Sequence, residues 1–235
     1  MGDRVKKPAF IFLECAVEIV PEEIRRHPKV LESARRYATR SDLMLLDKSI
    51  HYKAMRELEK RWKRGRPDIL HACLLALSDT PLRAENALDV YFQVFDGRVF
   101  AISSITRLPK TYERFKGVIA SALVREKIVD DSGRPLILKV ADSLPEFLEK
   151  TGYELFLLWE KGEKARLEDV ARILVETSGA LGIGCFPRGD FETETLSLAK
   201  RKFSLLCGES LTAWGATFRV LTLLEKIMLK DCQSY

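Results

Sequence analysis

The sequence predicts an α/β fold with a mostly parallel sheet and helices on both of its faces. Runs of β-branched and aromatic residues alternate with amphipathic runs along most of the 235-residue chain. A composition of 46% hydrophobic and 31% charged residues is sufficient for a sizeable core and excludes a disordered chain. Because parallel strands need long crossover connections, which are usually helices, the alternation favours a parallel sheet.

The first 80 residues alternate in this way before any hairpin is indicated. Buried strands are predicted over residues 10–17 and 43–47. The intervening segment 21–38 is predicted helical with a break at Pro28, because proline lacks a backbone donor. A charged helix is predicted over 49–63, and an apolar helix begins at Pro67, a residue suited to the first helical turn.

A β-hairpin is predicted over residues 87–103. Hydrophobicity alternates in period two on both sides of Asp96-Gly97, a pair typical of type I′ turns. The hairpin and the basic loop after it interrupt the alternation of strands and helices. They are interpreted as an insertion at about 87–116, carrying binding residues, within a single domain that spans residues 1–235.

The second half of the chain returns to alternating elements. Helices are predicted from the end of the basic loop to about residue 129, over 144–150, around 167–174 and over 211–229. The predicted strands and strand-loop units are 136–141, 155–160, 180–187 and 203–208.

Charge distribution suggests nucleic acid as a partner. The net charge is only +5, from 39 Lys and Arg against 34 Asp and Glu. Residues 56–66, however, contain six basic residues around Trp62, and a second basic group is interleaved with aromatic residues at 98–116. Cations neutralise phosphates and rings stack on bases, although a solvated helix face would also explain the first group.

Other classes of protein are disfavoured. No apolar run is long enough to span a bilayer, so no membrane association is expected and a cytoplasmic location is predicted. The five cysteines form no C-x-x-C pair, and the three histidines are far apart, so neither a disulfide framework nor a metal site is expected.

Two glycine-containing loops follow predicted strands. The first, GIGCFPRG (182–189), does not match the dinucleotide pattern G-x-G-x-x-G, which argues against a nicotinamide oxidoreductase. The second, CGESLTAWG (207–215), precedes the last helix. Loops at the carboxyl ends of neighbouring parallel strands form a ligand crevice, in which backbone amides could hold an adenine and a ribose. Tight connections without a ligand remain the alternative.

Four segments in this order resemble a known family: RGRPDILHACLLALSDTPL (64–82), TRLPKTYERFKG (106–117), GCFPRGDF (184–191) and FSLLCGESLTAW (203–214). The chain resembles, from residue 10 to residue 227, the ribosome-biogenesis pseudouridine methyltransferases, or nucleolar essential protein family. The RPDI motif and the R-x-P-x-x-x-x-R-F loop are specific to it. The absence of a long N-terminal extension is more typical of its archaeal members.

The resemblance implies a SPOUT fold, whose C-terminal segment forms a trefoil knot, an exception to the rule of unknotted chains. It also implies a homodimer that binds S-adenosyl-L-methionine and methylates N1 of a pseudouridine in a small-subunit rRNA hairpin. Small-subunit ribosomal proteins are further candidate partners. The cofactor residues carried over by motif are Trp159, Gly184, Gly189, Asp190, Phe191, Leu206, Cys207, Gly208, Glu209, Ser210 and Leu211.

For RNA, the resemblance assigns Arg66, Asp68, Arg107, Lys110 and Arg114. Asp68 would hold the Arg66 guanidinium in a bidentate pair, and Lys110 stands where the family usually has arginine. Alternatively, Asp68 is only a favourable first-turn acid.

Asp79 matches the family's aspartate at the target base, with general base as the sharper hypothesis. A carboxylate at the C-terminal end of an apolar helix is expected in a negative potential and a low dielectric, which both raise its pKa, whereas neighbouring arginines would lower it, so the sequence does not fix the net shift. Alternatively, Asp79 only hydrogen-bonds the backbone of the turn near Thr80-Pro81.

Two departures from the family affect the cofactor loops. Ser210, Leu211 and Thr212 replace the usual Pro-Leu-Ser, which predicts a less rigid loop and weaker cofactor binding. Pro187 and Arg188 stand where histidine is common.

The predicted function is therefore S-adenosylmethionine-dependent methylation of rRNA. A non-catalytic rRNA-binding assembly factor and a SPOUT enzyme with another RNA target are the alternatives.

Overall fold

The computed structural model describes residues 6–205 and 209–229, and they form an α/β fold around one eight-stranded sheet. The strands are β1 (Ala9–Leu13), β2 (Asp89–Gln93), β3 (Val99–Ile102), β4 (Lys127–Val129), β5 (Pro135–Ala141), β6 (Leu155–Lys164), β7 (Ala180–Gly184) and β8 (Arg201–Ser204). The helices are α1 (Pro28–Arg36), α2 (Lys48–His51), α3 (Pro67–Ser78), α4 (Pro81–Ala84), α5 (Tyr112–Arg125), α6 (Leu144–Thr151), α7 (Leu167–Thr177), α8 (Thr193–Leu198) and α9 (Ala213–Met228). None of the helices described is long and apolar enough to cross a bilayer.

The sheet has a parallel half and an antiparallel half. Its strand order is β4-β5-β3-β2-β1-β7-β6-β8, and the pairings from β2 through β1, β7 and β6 to β8 are all parallel. The pairings β2-β3, β3-β5 and β4-β5 are antiparallel. Four of these seven pairings are parallel, as the alternation of elements predicts.

Helices cover both faces of the sheet, and the central strand β1 shows this because it is apolar at every position and buried on both sides. Its Phe10 and Phe12 belong to the larger core, which includes residues of α3, α5, α7 and α9. Its Ile11 and Leu13 belong to the core on the other side, with residues of α6. A strand buried on both faces is typical of a parallel sheet between two helical layers.

The predicted hairpin is present, but its turn is of a different type. β2 pairs with β1, so the hairpin continues the central sheet. The Gly97 amide donates to Val94 O, and the Val94 amide donates to Arg98 O. Gly97 has a φ of +97°, whereas Asp96 is not among the residues with positive φ. A type I′ turn needs positive φ at both central residues, so this loop is a turn closed by a glycine in the left-handed region.

The segment 41–63 differs from the sequence-based prediction. Residues 43–47 form only an isolated bridge, Ile19 to Leu45, and the predicted helix 49–63 is divided into α2 and two short 3₁₀ turns. Lys60 has a φ of +49°, which no helix permits. The division lets Lys63 and Arg64 turn inward to buried glutamates. Ion pairs with distant residues therefore override the local helical preference.

Candidate functional site

A cavity of about 690 Å³ lies at the carboxyl ends of β6, β7 and β8. Aliphatic side chains in or next to these strands line one part of it: Leu158 of β6, Ile183 of β7 and Leu205, directly after β8. The loops that follow the strands, the first turn of α9, and Arg66 and Ile69 at the start of α3 complete the lining. This is the edge at which an open parallel sheet binds ligands, and the volume suits a cofactor.

The loop 185–192 forms one wall, and it packs tightly on Gly184. A Cβ atom at Gly184 would lie 2.9 Å from Phe191 Cζ and 3.0 Å from Phe186 Cε1. The two rings meet edge to face, with centroids 5.2 Å apart. Gly189 has a φ of +98°, where a side chain would be strained. These glycines therefore fix the loop, and Gly184, Gly189 and Phe191 all line the cavity, as predicted.

Asp190 joins the loop to β6. Its Oδ1 accepts hydrogen bonds from Trp159 Nε1 at 2.6 Å and from the Phe191 amide at 2.8 Å, and its Oδ2 accepts one from Lys161 Nζ at 2.6 Å. Desolvation alone would raise the pKa of Asp190, but the bonds from Lys161 and Trp159 outweigh it and lower the pKa. Asp190 is therefore a fixed carboxylate on the wall, and Trp159 lines the same cavity.

The second predicted cofactor loop contributes the opposite wall. Glu209, Ser210 and Leu211 line the cavity, together with Trp214 at the start of α9. The helix begins at Ala213, where the Thr212 side chain accepts a hydrogen bond from the Gly215 amide. The remaining predicted members, Leu206, Cys207 and Gly208, lie outside the described residues. The loop of the expected knot includes them, so the knot remains a prediction.

Arg66 connects the cavity to the predicted RNA side. It precedes α3, lines the cavity, and donates two hydrogen bonds to Asp68, from Nε at 2.8 Å and from Nη2 at 2.7 Å. The bond to Asp68 is the main reason that the pKa of Arg66 is raised. The predicted bidentate pair is thus present, and the guanidinium is held at the edge of the cavity.

The basic loop and the first turn of α5 present the three predicted cations to solvent. Arg107 and Lys110 of the loop and Arg114 of α5 are all exposed, and among the described residues neither arginine makes an ion pair. The loop is fixed from below, where His71 Nε2 lies 2.9 Å from Pro109 O. Since a carbonyl can only accept, His71 donates this bond. Exposed, unpaired arginines on an anchored loop are suited to phosphate binding.

Beneath this loop lies a buried polar cluster around Asp47. Its carboxylate accepts hydrogen bonds from Tyr112 OH at 3.0 Å and Lys116 Nζ at 2.9 Å. Nδ1 of His51 accepts the Asp47 amide, and its Nε2 lies 2.8 Å from Ser33 Oγ. Burial lowers the pKa of His51 to about 4. The cluster fixes the first turn of α5, which follows the basic loop.

Asp79 does not have the surroundings expected for it. Its side chain is 82% exposed and lies 3.9 Å from Lys110 Nζ, so the expectation of a low dielectric was wrong. Arg66 and Asp79 flank the 12 residues of α3, so a rise of about 1.5 Å per residue places their backbones about 20 Å apart along the helix axis. Asp79 is not among the residues that line the cavity. Its surroundings are those of the basic loop.

The first basic group, 56–66, is largely used within the fold. Lys63 pairs with Glu14, Arg64 pairs with Glu18, and Lys60 pairs with Glu192. Its charge is therefore poor evidence for RNA binding. Sequence reasoning missed Glu14 and Glu18, although two glutamates interrupting an apolar run are a signal of buried pairing.

Comparisons with known proteins agree with this architecture. The family model described as EMG1/NEP1 methyltransferase matches residues 10–225. Relatives named ribosomal RNA small subunit methyltransferase Nep1 include one from Aeropyrum pernix, 46% identical over 92% of this chain and 96% of the relative. One from Staphylothermus marinus is 38% identical over 92% and 95%. A crystal structure of Archaeoglobus fulgidus Nep1 bound to S-adenosylhomocysteine has a TM-score of 0.85 and 36% identity, covering 95% of this chain and 99% of that one.

Proposed function

The chain belongs to the EMG1/NEP1 methyltransferase family, and we propose that it transfers a methyl group from S-adenosylmethionine to small-subunit rRNA. The observation that carries this proposal is the cavity beside Arg66, where the predicted cofactor residues within the described chain line one space. A solved relative, described as bound to S-adenosylhomocysteine, has the same fold. In this proposal Arg66 is the residue that joins the cofactor cavity to the bound RNA.

The residues of the cavity fit this cofactor. The aliphatic side chains of Leu158, Ile183 and Leu205 are suited to an adenine ring, and the carboxylates of Asp190 and Glu209 to cationic groups. When bound, S-adenosylmethionine supplies an electrophilic methyl group on a sulfonium. This chain supplies orientation, because the loop 185–192 is fixed by Gly184 and Asp190 before any ligand enters.

The proposed target atom is N1 of a pseudouridine in an rRNA hairpin. This choice rests on the resemblance of the RPDI motif and the basic loop. Arg107, Lys110 and Arg114 would bind phosphates, and the Arg66–Asp68 pair would hold the RNA at the cavity. Lys110 offers a point charge without the guanidinium fork, so its contact is the least directional of the three.

We propose that Asp79 acts at or beside the target base. Its exposed carboxylate is available to RNA and lies beside Lys110. Because α3 separates it from Arg66 within one subunit, Asp79 would act on a base held at the cavity of the partner subunit in the homodimer proposed below. Replacing Asp79 by Asn should leave S-adenosylhomocysteine and hairpin affinities within about twofold while slowing methyl transfer about 100-fold, the usual contribution of a general base. Single-turnover kinetics with saturating RNA measures this rate. An unchanged rate would exclude Asp79 from the chemistry.

A homodimer formed from one-domain subunits is part of the proposal. Trp214 and Phe218 are exposed on α9, and Trp214 also lines the cavity. Exposed aromatic side chains on one helix face favour burial against a partner. Light scattering of the wild type and of Phe218→Asp tests this: we expect a dimer for the wild type and a monomer for the variant. A monomeric wild type would contradict it.

The experiment that tests the reaction separates it from a purely structural role in subunit assembly. Purified protein, labelled S-adenosylmethionine and isolated small-subunit rRNA are incubated, with large-subunit rRNA as the control. We expect label only in the small-subunit rRNA. Tight binding of this rRNA without any transfer would favour the assembly-factor alternative, and label in both would indicate another specificity.

A further inference from the structure

Glu14 has an unusual backbone conformation at the end of β1. It directly follows Leu13 and has a φ of +49°, in the left-handed region that glycine or asparagine occupies more easily. A strained backbone is maintained only where surrounding contacts require it, and at Glu14 these contacts are made by the side chain.

The carboxylate of Glu14 holds three groups from two distant segments. Its Oε2 accepts a hydrogen bond from Lys63 Nζ at 2.7 Å. Its Oε1 accepts one from the Glu192 amide and one from Thr195 Oγ1, both at 2.8 Å. The side chain is only 11% exposed, so these bonds are shielded from water. Glu14 therefore fixes the point at which the loop 185–192 ends and α8 begins.

Lys63 lies between Glu14 and the rest of that loop. Its side chain is 7% exposed, and Nζ also bonds Glu192 Oε1 at 3.0 Å. Nζ lies 4.6 Å from the centroid of the Phe186 ring, which lines the cavity. Its Cε would lie 3.3 Å from a Cβ atom at Gly189. Lys63 thus contacts the loop at Phe186, Gly189 and Glu192, and it is not itself among the residues that line the cavity.

We propose that Glu14 and Lys63 are positioning residues for the cofactor. They act on the cavity only through the loop, and they hold that loop in the shape that places Gly189, Asp190 and Phe191 on the wall. A buried charged pair that bonds the end of a ligand loop and packs against its middle lowers the cost of ordering it on binding. The inference rests on the proposed cofactor role of the cavity.

A second buried pair supplies a matched control. Glu18 and Arg64 come from the same two segments and are equally buried, and they form two hydrogen bonds, at 2.7 and 2.6 Å. Arg64 otherwise contacts Glu59 O and the Phe95 ring, and neither belongs to the cofactor loop. Breaking this pair should therefore cost stability without changing the loop.

The test compares Glu14→Gln, Lys63→Met and Glu18→Gln in the full chain. Calorimetry with S-adenosylhomocysteine, hairpin affinity, thermal midpoint and steady-state kinetics are measured for each. For the first two variants we expect about tenfold weaker S-adenosylhomocysteine binding, a raised KM for S-adenosylmethionine and a kcat within about twofold of wild type. Their hairpin affinity should be unchanged. Glu18→Gln should lower the thermal midpoint but keep cofactor affinity within about twofold.

The double variant Glu14→Gln/Lys63→Met distinguishes a pair from two separate supports. If the residues act together, the double variant binds the cofactor about as weakly as the weaker single variant. If cofactor affinity falls in proportion to the thermal midpoint in every variant, including Glu18→Gln, the inference is overturned. A wild type that binds no S-adenosylhomocysteine would overturn the proposed function itself, and the inference with it.

Discussion

The proposed cofactor side and the proposed RNA side of this molecule are built by opposite means. The cavity lies where parallel strands end, and its walls are formed by closely packed rings, glycines and a carboxylate that accepts three hydrogen bonds. The RNA side lies on a loop beside the antiparallel half, and its functional groups are exposed cations. The cofactor cavity is held in shape by packing before a ligand binds, whereas the RNA side attracts its ligand through exposed positive charges.

This difference has a consequence for mutations. A site defined by packing should respond steeply to a single added methyl group, because interiors have little free space. A site defined by exposed charges should respond in small, nearly additive and salt-dependent steps. In the proposed function Arg66 belongs to both sites, since it lines the cavity and is held by Asp68 at its edge.

The largest effect is expected for Gly184→Ala. The added methyl group would lie 2.9 Å from Phe191 and 3.0 Å from Phe186, so both rings must move and the wall of the cavity with them. We expect S-adenosylhomocysteine affinity to fall about 30-fold, or about 2 kcal/mol, measured by calorimetry. Gly117→Ala is the control, because a Cβ there meets nothing within 4 Å. Equal cofactor affinity in both variants would refute the packing argument.

The buried polar cluster around Asp47, beneath the basic loop, should make the stability of the fold pH-dependent. Burial lowers the pKa of His51 to about 4 from 6.5. Between pH 4 and pH 6.5 the unfolded chain binds more protons at His51 than the folded chain does. The contribution of His51 to the free energy of unfolding is therefore complete above pH 6.5 and is lost as the pH falls towards 4. From pH 7.5 to 5 the free energy of unfolding should fall by about 2 kcal/mol through His51 alone.

Urea denaturation at both pH values measures this decrease. His51→Gln should remove most of the difference, whereas His27→Gln, at an exposed helix cap, should retain it. If the wild type and His51→Gln show the same pH dependence, His51 is not the group that titrates.

The smallest effects are expected on the RNA side. Arg107→Ala and Arg114→Ala each remove one exposed cation, so hairpin affinity should fall about fivefold for each at low salt. The slope of log affinity against log salt should flatten by roughly 0.7 to 0.9 for each phosphate that the variant no longer neutralises. Arg134→Ala, at an exposed arginine paired with Asp130, is the control. Unchanged slopes would remove both arginines from the RNA surface.

The same contrast explains how much of the molecule the sequence could reveal. The long helices and the strands other than β4 follow from local periodicity, whereas β4 was wrongly predicted as the end of a helix extending to about residue 129. The motif residues of the cofactor loops, where described, do meet in one cavity. The Arg66–Asp68 pair also has the predicted geometry. These features depend on neighbours in sequence, on glycine conformations or on strand ends, all of which a sequence displays.

Segment 41–63 could not be predicted in this way, because its shape depends on partners far along the chain. Lys63 bonds a glutamate 49 positions away, and Arg64 one 46 positions away. Local helical preference is a weaker effect than pairing a buried charge. The exposure of Asp79 was also beyond reach, since the apolar pattern of α3 does not show that the helix ends at the surface.

Methyl transfer to a pseudouridine at the cavity is the reaction on which the proposed function depends. Labelled S-adenosylmethionine is incubated with two short rRNA hairpins that differ only in pseudouridine or uridine at one loop position, and the product nucleoside is then analysed by mass. We expect one added methyl group, on N1 of the pseudouridine hairpin, and none on the uridine hairpin. Equal transfer to both hairpins, or tight binding of both without transfer, would show that this reaction is not the function of the site.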